Sequence, residues 1–166
     1  RNKTIEQTME KLPNGTRRLA AQLRSSVGFE ALWTILTDYS HLSDFIPNLS
    51  TSRLISRKSN RVQLQQVGSQ RLMGFRFSAE VLIELVEDHK NGLLQFHLLK
   101  GDFRRFEGAW KIGELPNGEG SSLLYELTVQ GCIGMPVAFI EQRLRQDLNT
   151  NLLAVERAAI KKDSIL

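Results

Sequence analysis

The residues with the greatest capacity for chemistry in this sequence are three histidines and one cysteine, and their spacing fits no common catalytic or metal-binding motif. His41 falls in a short predicted helix, His89 in a charged turn and His97 on the outward side of a predicted strand. A structural metal needs several such ligands at short fixed spacings, whereas Cys132 stands alone. The sequence therefore predicts no metal site, no internal disulfide and no cofactor, with the histidines at the surface.

The carboxylates are poorly placed for general acid–base catalysis. Glu80 and Glu84 share the outward face of a predicted strand, and Asp44, Asp88 and Asp102 fall in loops. The sequence also has no nucleophile elbow, phosphate loop, dinucleotide fingerprint or zinc-protease motif. We therefore name no catalytic residue.

The sequence remains compatible with one kind of enzyme, a cyclase that acts mainly by folding its substrate in a shaped cavity. In such a site Arg104, Tyr125 or a helix hydroxyl would polarise a carbonyl of the substrate. The other hypothesis is a protein that binds its ligand without transforming it.

Arg104 and Gly108 lie in one predicted strand and bear on ligand binding. Arg104 has the parity of Phe106 and Trp110, which aims its guanidinium at the inner face, where it would bind a carbonyl, carboxylate or phosphate. The alternative is an arginine that reaches solvent or pairs with a nearby acid. Gly108 either leaves a gap in the interior or marks a bend in a curved strand. Gln66 is expected to point inward unless a bulge turns it outward.

The residues after Pro47 have the pattern of an antiparallel meander. Strand-like runs alternate with turn sequences such as Asn91-Gly92 and Pro116-Asn117-Gly118. The predicted runs are Ser50 to Lys58, Arg61 to Gln70, Phe75 to Glu87, Leu93 to Lys100, Phe103 to Leu115 and Ser121 to Gly131.

Helical patterns precede and follow this meander. A strand over Arg17 to Arg24 leads to a helix around Trp33 and a short helix over Ser40 to Phe45, which Pro47 ends. A long amphipathic helix begins near Pro136. We predict a flexible lead-in over residues 1–15 and a single domain over residues 16–162.

Alternate positions of the predicted strands form an apolar face that is too broad for one helix to cover. The uncovered part of this face predicts an internal cavity. The residues expected to line it are Trp33, Phe45, Phe75, Phe77, Phe96, Arg104, Phe106, Gly108, Trp110, Tyr125, Ile140 and Leu144.

Composition limits the class of protein. With 166 residues, 41% hydrophobic and 24% charged, the chain suits one globular domain with a real core. It has no apolar run long enough to span a bilayer and no secretory leader pattern, which predicts a cytoplasmic protein. The net charge of +4 leaves open a transient contact with an anionic membrane surface, RNA or the ribosome, although the scattered basic residues form no nucleic-acid arm.

In its order of elements and in several short motifs, residues 16–160 resemble the START-like superfamily, in particular its branch of polyketide cyclases and coenzyme-Q-binding proteins. The motifs are Trp33 to Tyr39 with Phe45-Ile46-Pro47, Gly101-Asp102-Phe103, Phe106 to Trp110, and Tyr125 before a helix that opens with Pro136. The resemblance implies an α+β helix-grip fold, in which a curved antiparallel sheet of about seven strands surrounds the C-terminal helix and two short helices follow the first strand.

The resemblance also implies the kind of ligand. A lipid, a polyprenyl quinone or a polycyclic aromatic compound is expected in the cavity. The leading hypothesis is therefore the binding or carrying of a hydrophobic small molecule. A polyketide cyclase or dehydratase, and a ribosome- or RNA-associated protein of the same fold, remain as alternatives.

Overall fold

A computed structural model of the chain describes residues 4–72, 74–132 and 137–165. In these residues an antiparallel sheet of eight strands accompanies a long C-terminal helix, which is the predicted α+β helix-grip arrangement. The elements in chain order are β1 (Ile5–Lys11), β2 (Arg17–Ser25), α1 (Phe29–Thr37), a 3₁₀ helix (Tyr39–Asp44), β3 (Leu49–Lys58), β4 (Arg61–Leu72), β5 (Phe75–Asp88), β6 (Leu93–Gly101), β7 (Phe103–Glu114), β8 (Ser121–Gly131) and α2 (Val137–Ile165).

The sheet has the strand order β1-β2-β8-β7-β6-β5-β4-β3. Strands β3 to β8 form the predicted meander, since each pairs with its neighbour in sequence through a short turn. Strand β2 then pairs with β8, so that β1 and β3 occupy the two edges of the sheet.

The prediction of a flexible lead-in over residues 1–15 is corrected by β1. Ile5 and Met9 pack against the core on one side of this strand, with the half-buried Gln7 between them, and Glu6 and Thr8 on the other side are exposed. Gln7 donates hydrogen bonds to the Arg145 carbonyl oxygen at 2.7 Å and to Asn149 Oδ1 at 3.0 Å, both on α2. The sequence did not indicate this strand because it has few apolar positions and because polar hydrogen bonds attach it to α2. Strand β1 accounts for the difference between the predicted seven strands and the observed eight.

The two short helices form where the sequence predicts them. Helix α1 buries Leu32, Ile35 and Leu36 on one face, at the spacing of an amphipathic helix. The next short helix is a 3₁₀ helix that buries Tyr39 and Leu42. Together they cover the part of the sheet that α2 leaves open.

The core lies between the sheet and the C-terminal half of α2. Leu148, Leu152 and Val155 on α2 are at most 1% exposed, as are Leu19 and Leu123 on β2 and β8. Each fully buried aliphatic side chain of this size stabilises the fold by about 1.5–3 kcal/mol. At the other end of α2, an ion pair of 2.6 Å joins Glu141 Oε1 to the Arg17 guanidinium of β2.

Register shifts interrupt the pairing of β3 with β4 and of β7 with β8. Strand β3 has shifts between Leu49 and Thr51 and again between Leu54 and Ser56, where it pairs with β4. Strand β7 has a shift between Phe103 and Arg105, where it pairs with β8. A bulge of this kind adds a residue on one strand and reverses the facing of the side chains beyond it.

Candidate ligand-binding cavity

The described residues surround a cavity of about 600 Å³ between the inner face of the sheet and α2. This volume lies in the range of about 300–1,000 Å³ that small-molecule sites occupy. Most of the wall is apolar. Its exposed members are Pro47, Asn48, Phe77 and Ser78, which mark where the cavity opens to solvent.

The sheet side of the cavity comes from β4 to β8. Because successive side chains of a strand point to opposite faces, every second residue reaches the interior. The inward aliphatic and aromatic residues that line it include Leu64, Val81, Ile83, Leu85, Leu94, Phe96, Phe103, Phe106, Trp110, Tyr125 and Leu127.

The helix side is one stripe of α2 formed by Arg143, Leu144, Asp147, Leu148 and Asn151. These positions lie three or four residues apart and so share one face of the helix. Beyond Asn151 the same side of α2 continues with Leu152, Val155 and Ala159, which are closed into the core. Asn151 is therefore the last α2 residue before the cavity gives way to solid packing.

An aromatic cluster forms much of the sheet wall. The rings of Trp110 and Tyr125 stack with centroids 4.1 Å apart and planes at 7°. Phe106 lies between Phe96 and Phe103, with centroid distances of 5.7 and 5.2 Å. Burial, and to a smaller extent the Asp147 carboxylate, raise the pKa of Tyr125, so its phenol remains neutral and able to donate a hydrogen bond.

Tyr39 joins the cavity wall to an ionic cluster. Its hydroxyl donates to Glu87 Oε2, and the Arg57 guanidinium donates to both oxygens of Glu87 at 2.9 and 3.0 Å. Burial, together with the hydrogen bond to Glu87, raises the pKa of Tyr39 well above its usual range. Burial opposes ionisation of Glu87, but the hydrogen bonds from Arg57 and Tyr39 outweigh it and hold the pKa of this carboxyl below its usual value.

Gln66 is a polar residue that points into the cavity, as the strand parity predicts. The pairing of β4 with β5 runs without a register shift, so the inward positions of β4 keep their facing. Gln66 Nε2 donates to Ser52 Oγ at 3.2 Å, and Ser52 Oγ donates to the Tyr39 carbonyl oxygen at 2.6 Å. This chain of hydrogen bonds fixes Gln66 against β3 and the 3₁₀ helix.

The segment that leads into β3 lines the cavity beside its opening. Ile46, Pro47, Asn48 and Leu49 all line the cavity, and Asn48 has a φ of 67°. Asn48 Nδ2 donates to Asp147 Oδ1 of α2 at 3.2 Å, which links this segment to the helix across the opening.

The structure brings half of the predicted cavity residues together. Those that line the cavity are Phe77, Phe96, Phe106, Trp110, Tyr125 and Leu144. Phe75 and Ile140 belong to β5 and α2, but their side chains lie outside the described residues. The remaining four, which do not line the cavity, are Trp33, Phe45, Arg104 and Gly108.

Trp33 and Phe45 pack outside the cavity wall. The inner face of α1 is formed by Leu32, Ile35 and Leu36, so Trp33 points to the side of the helix. There its ring stacks on Phe29 at 6.2 Å and meets the edge of His89 at 5.1 Å. Phe45 is partly buried against the core and is not among the residues that line the cavity.

Arg104 is exposed and does not line the cavity, contrary to the prediction from strand parity. The register shift between Phe103 and Arg105 changes the facing of β7 at this point. As a result, Phe103 and Phe106 both face the cavity, although they are three residues apart. Arg105 instead forms a surface ion pair with Glu107 at 2.8 Å.

Gly108 allows two backbones and one ring to come close together. A Cβ atom built on Gly108 would overlap the Glu126 carbonyl oxygen of β8 and would lie 2.9 Å from Cζ of Phe96. The interior space predicted above Gly108 is therefore filled by Phe96. The strand approach, rather than a gap for a ligand, accounts for the glycine.

Sequence reasoning missed Tyr39, Asn48, Asp147 and Asn151 as cavity residues. The last two follow Leu144 at the helical spacing of three and seven residues, which was the available signal. Asn48 follows Pro47 in a connecting segment, and its left-handed backbone has no clear mark in the sequence. The three histidines lie at the surface as predicted, with His41 paired to Asp38 and His89 paired to Glu30.

Solved structures with the same fold come from bacteria and from humans. A Thermus thermophilus protein has 21% sequence identity and a TM-score of 0.74, with 87% of this chain and 98% of that chain covered. A Streptomyces aromatase/cyclase, Zhui, has 14% identity and a TM-score of 0.68, with 86% and 94% covered. Human StAR-related lipid transfer protein 5 has 7% identity and a TM-score of 0.76, with 96% and 83% covered. At these identities the likeness shows a shared fold.

No curated protein matches the sequence of this chain significantly. Among the described residues, no helix combines the length and the apolar character needed to cross a membrane.

Residues 26–156 match the protein family described as polyketide cyclase / dehydrase and lipid transport. This segment contains α1, the meander and most of α2, and therefore all of the described cavity wall. The chain belongs to the polyketide cyclase / dehydrase and lipid transport family.

Proposed function

We propose that this protein binds and carries a hydrophobic small molecule, such as a lipid, a polyprenyl quinone or a polycyclic aromatic compound. The observation that carries the proposal is the cavity of about 600 Å³ with its predominantly aliphatic and aromatic wall. Transfer of an apolar molecule from water into such a wall is favourable by roughly 25 cal/mol for each Å² of apolar surface removed from water.

The family and the fold support this class of ligand. The family description joins lipid transport to polyketide cyclisation, two activities that involve large and mostly apolar molecules. The structural neighbours include a protein named for lipid transfer and one named as an aromatase/cyclase.

The hydrogen bonding of the wall favours binding over catalysis. Tyr39, Gln66 and Asn48 line the cavity, yet each donates to another protein group. Groups that hold the protein's own structure in this way are not poised to transfer protons to a substrate.

A cyclase is the second candidate, and Tyr125 is the residue that favours it. Its neutral phenol lies in the cavity wall, and its ring is held flat against Trp110. A phenol in this position can donate a hydrogen bond to a substrate carbonyl on which negative charge develops.

We further propose that the ligand enters at a membrane surface. Phe77 lines the opening with 52% of its surface exposed, beside the exposed Arg76. An aromatic ring next to a cationic group suits the interface of an anionic bilayer. Co-sedimentation with vesicles that contain or lack anionic lipid tests this part separately from binding itself.

Extraction of the mildly purified protein tests the main proposal. Native mass spectrometry should show a bound mass, and organic extraction should release a lipid, a quinone or an aromatic compound. If the cavity is emptied during purification, an apolar fluorophore should bind at micromolar or lower Kd and should be displaced by the true ligand class. A protein that carries nothing and binds neither fluorophore, fatty acid, quinone nor polycyclic aromatic would contradict the proposal.

A further inference from the structure

The hydroxyl of Tyr125 is a hydrogen-bond donor that the protein itself does not use. Tyr125 lines the cavity with 9% of its surface exposed, and no group in the described part of the chain forms a hydrogen bond with its hydroxyl. The oxygen remains accessible, because the side-chain oxygens that are both fully buried and unpartnered among the described residues are Ser121 Oγ and Asn151 Oδ1. A molecule in the cavity can therefore reach the Tyr125 hydroxyl.

Tyr39 offers a direct comparison with Tyr125. It is also a buried tyrosine that lines the cavity, but its hydroxyl donates to the Glu87 carboxylate. Polar groups at buried positions nearly always have a partner, and for Tyr125 that partner must be a molecule in the cavity. A ligand that displaces water from this place must replace its hydrogen bond or leave the donor unsatisfied.

Tyr125 lies at the closed end of the cavity. Trp110 and Tyr125 pair across β7 and β8, and both line the cavity. The next inward residues of these strands, Ile112 and Leu123, also pair with each other, are at most 3% exposed and belong to the core. The hydroxyl is therefore offered to the part of the ligand that goes in deepest.

The opening lies toward the other end of these strands. Phe77 marks the opening at the start of β5, and Val81 of the same strand pairs with Gly101, where β6 turns into β7. Phe106, near the start of β7, therefore lies between the opening and Trp110. At about 3.3 Å per residue, Trp110 is roughly 13 Å further along β7 than Phe106.

The surroundings of the Tyr125 oxygen disfavour negative charge. Burial, and to a smaller extent the Asp147 carboxylate, raise the pKa of Tyr125, which means that an anion at this place is destabilised. An ionised carboxylate bound to the hydroxyl would meet the same surroundings. Arg143 of the same wall lies one helical turn before Asp147, roughly 6 Å further from the closed end along α2. The matching ligand group is therefore an uncharged acceptor.

We propose that the ligand of this protein carries an uncharged carbonyl group at its leading end, which accepts a hydrogen bond from the Tyr125 hydroxyl. A carbonyl oxygen accepts without adding a donor that would need a partner of its own at the closed end. This inference rests on the proposed hydrophobic ligand and narrows its class to ketones, quinones and esters with an apolar body. The body extends past Phe106 toward the opening.

Matched fluorescent probes test the inference. Prodan is a naphthalene ketone, and an analogue with a methylene in place of its carbonyl keeps the ring system and loses the acceptor. Tyr125→Phe should raise the Kd of Prodan about fivefold to tenfold and leave that of the analogue within about twofold. The carbonyl stretching frequency of bound Prodan should be lower in the natural protein than in the variant, because a hydrogen bond weakens the C=O bond.

Tyr39→Phe is the matched control, since it removes a hydroxyl that the protein uses. It should bind the two probes in the same ratio as the natural protein but should lower Tm. Tyr125→Phe should leave the Tm of the ligand-free protein nearly unchanged, because no protein partner is lost. A fall in Tm as large as that of Tyr39→Phe would show that the Tyr125 hydroxyl holds the protein's own structure, and would contradict the inference.

A charged probe tests the restriction to uncharged carbonyls. At neutral pH, the naphthoate with the same ring and dimethylamino group should bind at least tenfold more weakly than Prodan. A naphthoate that binds as tightly as Prodan, and depends equally on Tyr125, would overturn this restriction.

The possible failures are distinguishable. If Tyr125→Phe changes the Kd of both probes equally, or changes neither, the carbonyl inference is overturned and the hydrophobic carrier still stands. Binding of none of the probes would overturn the proposed function itself.

Discussion

The hydroxyl of Tyr39 donates a hydrogen bond to the Glu87 carboxylate, whose two oxygens also accept hydrogen bonds from Arg57. This contact joins the 3₁₀ helix to the end of β5 and, through Arg57, to the edge strand β3. Tyr39 also lines the cavity, so the same residue forms part of the wall and connects it to the sheet. The cluster is a polar connection between the cavity wall and the edge of the sheet.

We expect Glu87→Gln to destabilise the protein at neutral pH by about 1–2 kcal/mol, because Arg57 and Tyr39 lose an ionised acceptor. The pKa of Glu87 is lower in the folded chain than its usual value, so its contribution is present above the unfolded pKa of 4.5. It is lost as the pH falls through the folded pKa. Urea unfolding at several pH values should show the gap between the two proteins narrowing below about pH 4.

The matched control for this prediction is Glu107→Gln. Glu107 also pairs with an arginine, Arg105, at 2.8 Å, but both side chains are more than 40% exposed. An exposed pair contributes only about 0–1 kcal/mol, so this substitution should have a small effect at every pH. Equal effects of the two substitutions at neutral pH would show that the Tyr39 cluster has no special weight.

Gly108→Ala should destabilise the protein by about 1–3 kcal/mol through overpacking. The added Cβ would overlap the Glu126 carbonyl oxygen, which belongs to the backbone of β8 and cannot move without disturbing the sheet. The control is Gly113→Ala on the same strand, where the added atom would approach only the hydroxyl of Ser122, a side chain that can turn away. Chemical denaturation of both variants measures the difference, and an unchanged Gly108→Ala would contradict the close approach of β7 and β8.

Ala79→Leu should weaken the binding of a large apolar probe at least tenfold while the protein stays folded. Ala79 lines the cavity on β5, so the added atoms occupy ligand space. Ala109→Leu is the matched control, because Ala109 lies between the inward positions Gly108 and Trp110 and its side chain faces the other side of the sheet. Fluorescence titration should show a loss of affinity only in the first variant; parallel losses would place the ligand elsewhere.

Asn48→Gly should speed ligand release with little change in the stability of the fold. The substitution removes the hydrogen bond to Asp147 across the opening, and glycine adopts the left-handed backbone of this position without strain. Asn117→Gly is the control, since Asn117 has a similar φ of 61° in an exposed turn away from the cavity. Stopped-flow displacement of a bound fluorophore measures the rates, and identical release in all three proteins would refute the role of this link.

The Tyr125→Phe variant distinguishes the carrier hypothesis from the cyclase hypothesis. The substitution keeps the ring that stacks on Trp110 and removes only the hydroxyl. A carrier should bind an apolar probe with its affinity changed by less than about threefold, well under the tenfold that 1.4 kcal/mol represents. A cyclase should retain substrate binding and lose most of its turnover, which product analysis with an aromatic polyketide precursor would reveal.

The sequence predicted best where side-chain periodicity alone decides the facing of a residue. The inward positions Phe96, Trp110 and Tyr125 follow from strand alternation, and Leu144 follows from the helical period of α2. The fold class follows from the same patterns together with the turn residues between the strands.

The predictions failed where one local irregularity changes the geometry. Nothing in the residue types around Arg104 distinguishes a regular strand from the register shift that turns this side chain outward. Gly108 fits a gap and a close backbone approach equally well, and only the positions of Glu126 and Phe96 decide between them.

The two register shifts of β3 bear on how this protein behaves at high concentration. A straight edge strand with exposed Leu54 and Ile55 would readily form backbone hydrogen bonds with the edge strand of a second molecule. The shifts break the regular row of free N–H and C=O groups, and Arg53 and Lys58 add positive charge along the same strand. The edge at β3 can therefore stay unpaired. The irregular shape and the positive charge of this strand oppose aggregation through the edge.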